Sequence, residues 1–469
     1  MSHETTPTRV DGDATAARAW SPTALPPLLD SEVAHVAYHR PDWLRQWVER
    51  YGSPLHVVWP KLLERNAEAL QAVPRRHGVA LDVYYGAKVN KSQALVRAAV
   101  EAGIGVDVSS EYEMQDALLA GIDPRRLVAT GPAKTARFHG QLVARGALIS
   151  VDSLEEFEAL QQNGASGRAR VLLRCRPASA RASRFGMGEA DVTHCLRTLA
   201  ASRDRFAFEG FHFHLSGYDV ASRVQALREV MSQVAAAREL GLGVQVIDIG
   251  GGLPIRYVDA ERYAAFLRSQ DATHYRNGKL PTSFYPYGGE LDAAAWLDEL
   301  LGTPLDATSS VAEALIAQGL RLAIEPGRSL VDQAAITVFR VNRVKALADG
   351  RHVVYVEGSS FSACETWFAS EYLVDPILLS FGAPRGEAPM RAYIAGHSCL
   401  DDDVITNRLI DFATKPEPGD LLVYANTAGY QMDLLENEFH RHPMPRRIAV
   451  RNGAAGGMEV WPDDKGSLE

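Results

Sequence analysis

Cysteine is scarce: four residues in 469 (Cys175, Cys195, Cys364 and Cys399) show neither paired nor metal-like spacing. That excludes a disulfide framework and a cysteine-built zinc site, and it fits a reducing cytoplasm. Long apolar runs are missing as well. No segment reaches the roughly 18 uninterrupted apolar residues of a membrane span, and the first 20 residues lack the apolar stretch of a signal peptide. Positive charge does not prevail either. Lys and Arg number 49 against 58 Asp and Glu, a formal net charge of -9, which argues against nucleic acid or an anionic membrane as partner. Aromatic residues make up 8% and form no stacking surface. A cytoplasmic enzyme acting on a small molecule remains.

What is present is a rhythm. From Leu81 onward, short β-branched runs recur about every 20 residues, separated by helical stretches rich in Ala, Leu, Glu and Arg, the βαβα pattern of a parallel sheet. The runs lie at 81–88, 104–110, 126–132, 147–153, 170–175, 208–215, 244–252 and 320–327. Eight is the number that closes a (β/α)8 TIM-type barrel. After Arg328 the helical rhythm stops, and "AAITVFRVNRVKAL", "RHVVYVEG", "MRAYIAGHSC" and "GDLLVYANTAGY" alternate apolar and polar residues. These predict an antiparallel β domain. The expected fold class is therefore α/β: a disordered tail at 1–26, an N-terminal segment joining the β domain at 27–59, the barrel at 60–335 and the β domain at 336–469. The long stretch 253–319 is expected to carry its own helices at the barrel mouth.

The barrel strands end in chemistry. Lys88, Asp107, Thr130, Asp152, Arg174, His214, Gly250 to Gly252 and Glu325 all fall at or just past strand ends, and in a barrel those ends converge on the face where active sites are built. Each has a plain alternative: Lys88 can be an ion-pair partner of Asp107, a glycine triplet can be an ordinary turn, and strands must end in turn residues. Three glycines after a strand also offer backbone N–H groups to an anion such as phosphate. In "IEPGRSL", Glu325, Gly327 and Arg328 can address a protonated ring nitrogen at one end of a cofactor and a phosphate at the other. His212 and His214 in "FHFHLSGY" suggest a zinc pair, yet no third ligand sits at metal-like spacing. A resident metal is not expected, and His214 is better used lying against a flat cofactor ring.

Lysine, carboxylate, histidine and phosphate nest on one barrel face describe a pyridoxal phosphate site. The chain resembles the fold-type III pyridoxal-dependent decarboxylases, the ornithine, diaminopimelate and arginine decarboxylase group with its alanine racemase-like barrel. "YYGAKVN", "HFHLSG", "DIGGGLP", "EPGRSLV", "GHSCLDDDVI" and "NTAGYQMD" carry the resemblance, in order, from about Leu55 to Met444. It implies pyridoxal 5'-phosphate bound as an internal aldimine on Lys88, with Asp107 nearby and His214 on the ring. It further implies Ser216, Gly251, Gly252, Gly327, Arg328 and Tyr430 around the phosphate, and Glu325 at the ring nitrogen. Arg174, Leu400, Asp401 and Asp403 fall at substrate positions. The implied reaction is amino-acid decarboxylation through an external aldimine and a quinonoid, in a head-to-tail homodimer whose Cys399 is donated across the interface to protonate Cα. A racemase or epimerase is the alternative; racemases of this barrel place an arginine where Glu325 stands. Two departures matter. "HLSG" replaces the usual "HIGS", and Leu400 replaces the acidic residue that usually follows the cysteine to hold a distal ammonium. The substrate is therefore expected to be a larger or modified amino acid, held with help from "FYPYGGELD" and "NEFHRHPMP", as in a specialised-metabolite or siderophore branch.

Overall fold

A computed structural model describes the chain apart from residues 1–20, 22, 163–166, 367–368, 436, 454–456 and 464–469. The chain divides into two compact units: one holds 1–57, 256–290 and 333–448, the other 58–255, 291–332 and 449–469. Most of the expected 1–26 tail lies outside the described residues, but Leu25 is fully buried and its N–H donates to Asp375 Oδ2 at 3.0 Å. Among the described residues no helix is long and apolar enough to cross a membrane.

The strands, in chain order, begin with β1 (Leu55–Val58). Eight barrel strands follow: β2 (Leu81–Gly86), β3 (Gly105–Val108), β4 (Leu127–Ala129), β5 (Leu148–Val151), β6 (Ala169–Arg174), β7 (Phe206–His212), β8 (Val246–Asp248) and β9 (Arg321–Ile324). All pair in parallel, and β9 returns to β2 with Val83 opposite Ile324, so the barrel is closed. Each is a run that the β-branched rhythm marks out, because strands buried on both faces read as near-continuous apolar segments. Tyr84, Val128, Leu148, Leu172, Val246 and Ala323 fill the interior, and each large apolar side chain sealed there contributes about 2 kcal/mol. Such filling makes the barrel a rigid support for whatever its strand ends carry.

In the other unit the strands are β10 (Ala335–Ala346), β11 (His352–Glu357), β12 (Ile377–Leu379), β13 (Met390–Ala395), β14 (Val404–Phe412) and β15 (Leu421–Ala425). Two further strands, Arg446–Asn452 and Met458–Pro462, follow in sequence. Within that unit the order runs β14-β13-β11-β10-β1, with β15 also on β10 and β12 on β15. The sheet is mixed rather than purely antiparallel: β11 and β13 run parallel, with His352 opposite Ala392. The chain from 358 to 389 between them is long enough for the crossover that a parallel pair requires.

Candidate active site

Lys88 lies two residues past the end of β2, in a single 3-10 turn over Ala87–Val89. Its Nζ donates to Asp107 Oδ2 at 2.7 Å, and Asp107 Oδ1 accepts from the Thr130 hydroxyl at 2.5 Å. The ion pair that the sequence allows is therefore present. Yet the Lys88 side chain is 42% exposed while that of Asp107 is fully buried, so the amine is anchored from below and open above. The turn is braced from behind. Ser92 caps the helix Gln93–Glu101 and donates its hydroxyl to Asp463, whose other oxygen takes the Ala94 N–H at 2.9 Å.

At the end of β7, His212 and His214 have separate tasks. His212 is fully buried, with Nδ1 2.6 Å from the Ser150 hydroxyl and Nε2 3.6 Å from Glu325 Oε1. Burial, with the positive charges of Arg174 and Lys88, holds it neutral, well below an ordinary histidine. His214 opens to solvent at the barrel mouth yet stays ringed by protein. Desolvation and the cations Arg174, Lys88 and Arg223 bring it down to about 3. It is thus a neutral ring, fixed by its Nδ1 accepting the Gly251 N–H at 3.2 Å.

Under these rings sits a carboxylate pair that spacing alone did not reveal. Asp248 is raised to about 7, chiefly by burial and partly offset by the Gly250 N–H that it accepts at 2.8 Å. Glu325 is pushed well above its ordinary value by burial and by the neighbouring charges of Asp248 and Asp107. Two adjacent buried carboxyls retain a proton because both cannot ionise cheaply. Glu325 Oε1, Asp248 Oδ2 and His212 Nε2 are buried without a hydrogen-bond partner. Atoms of these three residues lie within 4.8 Å of one another, an arrangement that suits a cation or a protonated ring nitrogen. It replaces the His212–His214 zinc pair as the geometry to explain.

The glycine triplet decides between the two uses. A Cβ on Gly251 would stand 2.6 Å from the Glu325 carbonyl oxygen, and one on Gly252, at φ 79°, would stand 2.5 Å from Arg223 Nη2. The loop after β8 thus lies directly on the loops after β7 and β9, with the Gly250 and Gly251 N–H groups turned to Asp248 Oδ1 and His214 Nδ1. Arg223, on the helix Val220–Glu239, clamps it. Buried and lowered to about 10 by desolvation, it donates through Nη2 to the carbonyls of Leu215, Gly217 and Gly251 at 2.6, 3.2 and 3.1 Å. Ser216 is exposed on that clamped loop, and Gly327 and Arg328 are half-buried beyond β9. The Glu325 carboxyl, the His214 ring and the glycine loop all stand at the C-terminal ends of β7, β8 and β9. The residues present fit pyridoxal phosphate.

At the opposite wall Arg174 donates to Asp152 Oδ1 at 2.8 Å. The backbone N–H of Asp152 bonds Glu156 at 2.6 Å, and Glu156 takes the buried Lys134 ammonium at 2.7 Å. Burial lowers the Lys134 ammonium, and Glu156 partly offsets it. This chain of charges orients Arg174.

Cys399, Leu400, Asp401, Asp403 and Tyr430 belong to the other unit. Cys399 is exposed, its Sγ 3.0 Å from His440 Nε2. Leu400 is 41% exposed, and Asp401 is exposed beside it. Asp403 is buried, and both its oxygens take backbone N–H groups, from Ser360 at 2.6 Å and Ser398 at 3.0 Å. That engagement braces the loop. Tyr430 is half-buried at φ 79°, a left-handed conformation rare for a non-glycine residue.

Sequence reasoning gave Arg223 and Asp248 no role of their own and took His440 only as part of "NEFHRHPMP". Asp248 at the close of an apolar strand was the available signal; an arginine on a helix reads as a solvated charge, and His440 is 41 residues from the thiol that it meets.

Residues 61–282 match the family model for the pyridoxal-dependent decarboxylase, pyridoxal binding domain. An uncharacterized protein of Sinorhizobium fredii, y4yA, is 55% identical over 95% of this chain and 98% of its own length. The diaminopimelate decarboxylase of Archaeoglobus fulgidus is 28% identical over 64% of this chain and 66% of its own. The crystal structure of diaminopimelate decarboxylase from M. jannaschii shares the fold, with a TM-score of 0.68 at 20% identity over 90% of this chain and 92% of that one. The chain belongs to the fold-type III pyridoxal-dependent decarboxylases, and its cofactor is pyridoxal 5'-phosphate.

Proposed function

We propose that this protein removes the α-carboxyl group of an amino acid or amino-acid conjugate whose side chain does not end in a free ammonium, leaving the corresponding amine. The buried Glu325 carboxyl, with Oε1 unpartnered, is the observation that carries the reaction type. Bound, the cofactor supplies an electron sink for charge at the substrate Cα, and an anion at its ring nitrogen deepens that sink. Glu325 is assigned to hold the proton on that nitrogen, with Asp248 and His212 fixing the carboxyl.

Lys88 is assigned as the amine that joins the aldehyde, and Asp107 as the counter-charge that keeps it at the rim. The neutral His214 ring offers a flat apolar face; the glycine loop at Gly251 and Gly252, with Arg328, Ser216 and Tyr430, is assigned to the phosphate. Arg174 is placed to take a substrate carboxylate. The active form in this reading is a cytoplasmic homodimer in which Cys399 reaches across to hand a proton to Cα; its exposure in a single chain supports that use. Leu400 supports the substrate class, since an exposed apolar side chain offers nothing to a terminal ammonium.

The test is CO2 release from the cofactor-loaded enzyme across a panel of single-enantiomer amino acids, from ornithine, lysine and diaminopimelate to bulkier and N-acylated ones. Preference for the larger substrates is expected. A diamino acid as best substrate would overturn the substrate class, and racemisation without CO2 would overturn the reaction. Lys88→Ala should remove the visible absorbance of lysine-bound cofactor; an unchanged spectrum would reassign the lysine.

A further inference from the structure

The Cys399 thiol is not alone. Its Sγ stands 3.0 Å from His440 Nε2, close enough for the two to share a proton. Two carboxylates of the loop have their own partners: Asp402 pairs with Arg276 at 2.9 Å, and Asp403 takes the N–H groups of Ser360 and Ser398. His440 is therefore the titratable group set against the sulfur.

Its placement is held firmly. His440 has φ 58° and Arg441 follows with φ 61°, two consecutive non-glycine residues in the left-handed region, a conformation that persists only where the surroundings impose it. The surroundings are a run of rings. Phe439 stacks on the His440 imidazole at 4.2 Å and meets Phe361 edge-on at 6.4 Å. The His442 ring lies 6.4 Å away on its own account and stacks on His397 at 3.7 Å. His397 in turn accepts the Gly358 N–H through Nδ1 at 3.1 Å. Three segments distant in sequence thus converge to fix one imidazole edge on one sulfur.

We infer that His440 is the positioning and proton-return partner of Cys399. The inference rests on the proposed role of Cys399 as proton donor. When the sulfur delivers its proton, the S–H bond breaks, a C–H bond forms at the substrate carbon, and a thiolate remains. His440 then passes a proton from Nε2 to the sulfur and is restored by one from solvent water. No electrons are exchanged, and the cysteine is reset for the next turnover.

The experiment compares His440→Ala, His440→Gln and Cys399→Ala in the cofactor-loaded enzyme. One arm follows the alkylation rate of Cys399 by iodoacetamide, read by mass spectrometry; the other follows turnover with and without imidazole in the buffer. Loss of the imidazole should slow alkylation several-fold, because an imidazole 3.0 Å from the sulfur can take up the thiol proton as the sulfur attacks the reagent. Turnover of His440→Ala should fall by about tenfold or more and recover in part with added imidazole. His440→Gln keeps size and a hydrogen-bond donor but cannot relay a proton, so it should stay slow. Wild-type alkylation and turnover in His440→Ala, with Cys399→Ala still impaired, would overturn the inference while leaving the decarboxylase reading intact. Full turnover in His440→Gln would overturn proton return. Full turnover in Cys399→Ala would instead remove the cysteine assignment, and the inference with it.

Discussion

Replacing Asp248 by Asn should make the cofactor-free protein more stable at neutral and alkaline pH, although it removes a group from the centre of the site. Asp248 is raised from 3.8 to about 7, mainly because burial disfavours its charge. A folded value above the unfolded one means that the burden is absent below about pH 4, grows as pH rises, and is complete above about pH 7. Roughly three units at about 1.4 kcal/mol each set a ceiling of about 4 kcal/mol. Relaxation of the pocket around the charge should leave about 1–3 kcal/mol. Asn keeps the oxygen that accepts the Gly250 N–H at 2.8 Å, so the glycine loop need not be disturbed. Urea unfolding of the cofactor-free protein at pH 8 and pH 4.5 reads this directly: a gain at pH 8 that shrinks at pH 4.5. Equal stability at pH 8, or a gain that grows on acidification, would refute the reasoning.

Arg223→Met should cost about 2–4 kcal/mol, since one guanidinium nitrogen serves three carbonyls in a buried setting, and should weaken cofactor binding at least tenfold through the loosened loops; unfolding and cofactor titration measure the two separately. Leu400→Asp should raise kcat/KM for a diamino acid relative to the native substrate by about 10- to 100-fold, the worth of one charge-assisted hydrogen bond. No change in that ratio would place the distal end of the substrate elsewhere.

The barrel was legible because each of its strands is a short apolar run that stops at a polar or glycine residue, and burial on both faces forces that composition. The parallel pairing of β11 with β13 was not, since alternation of period two is the same in either direction. β14 escaped for another reason. "VITNRLIDF" contains Thr406, Asn407 and Arg408, which read as surface residues, yet Arg408 is buried in a pair with Asp375. Lys88, Glu325 and the glycine triplet announced themselves through their place after strands. The carboxyl pair of Asp248 and Glu325 and the clamp of Arg223 depend on contacts between residues 77 and 28 positions apart, which no local spacing encodes.

Asp463 carries a practical consequence for how this protein is handled. Its carboxylate holds the first turn of the helix that follows the Lys88 turn, through Ser92 and the Ala94 N–H. A fusion partner, purification tag or truncation placed after residue 462 would therefore act within the scaffold of Lys88, four positions from Ser92. Cofactor occupancy, rather than yield, is the property by which alternative boundaries should be ranked.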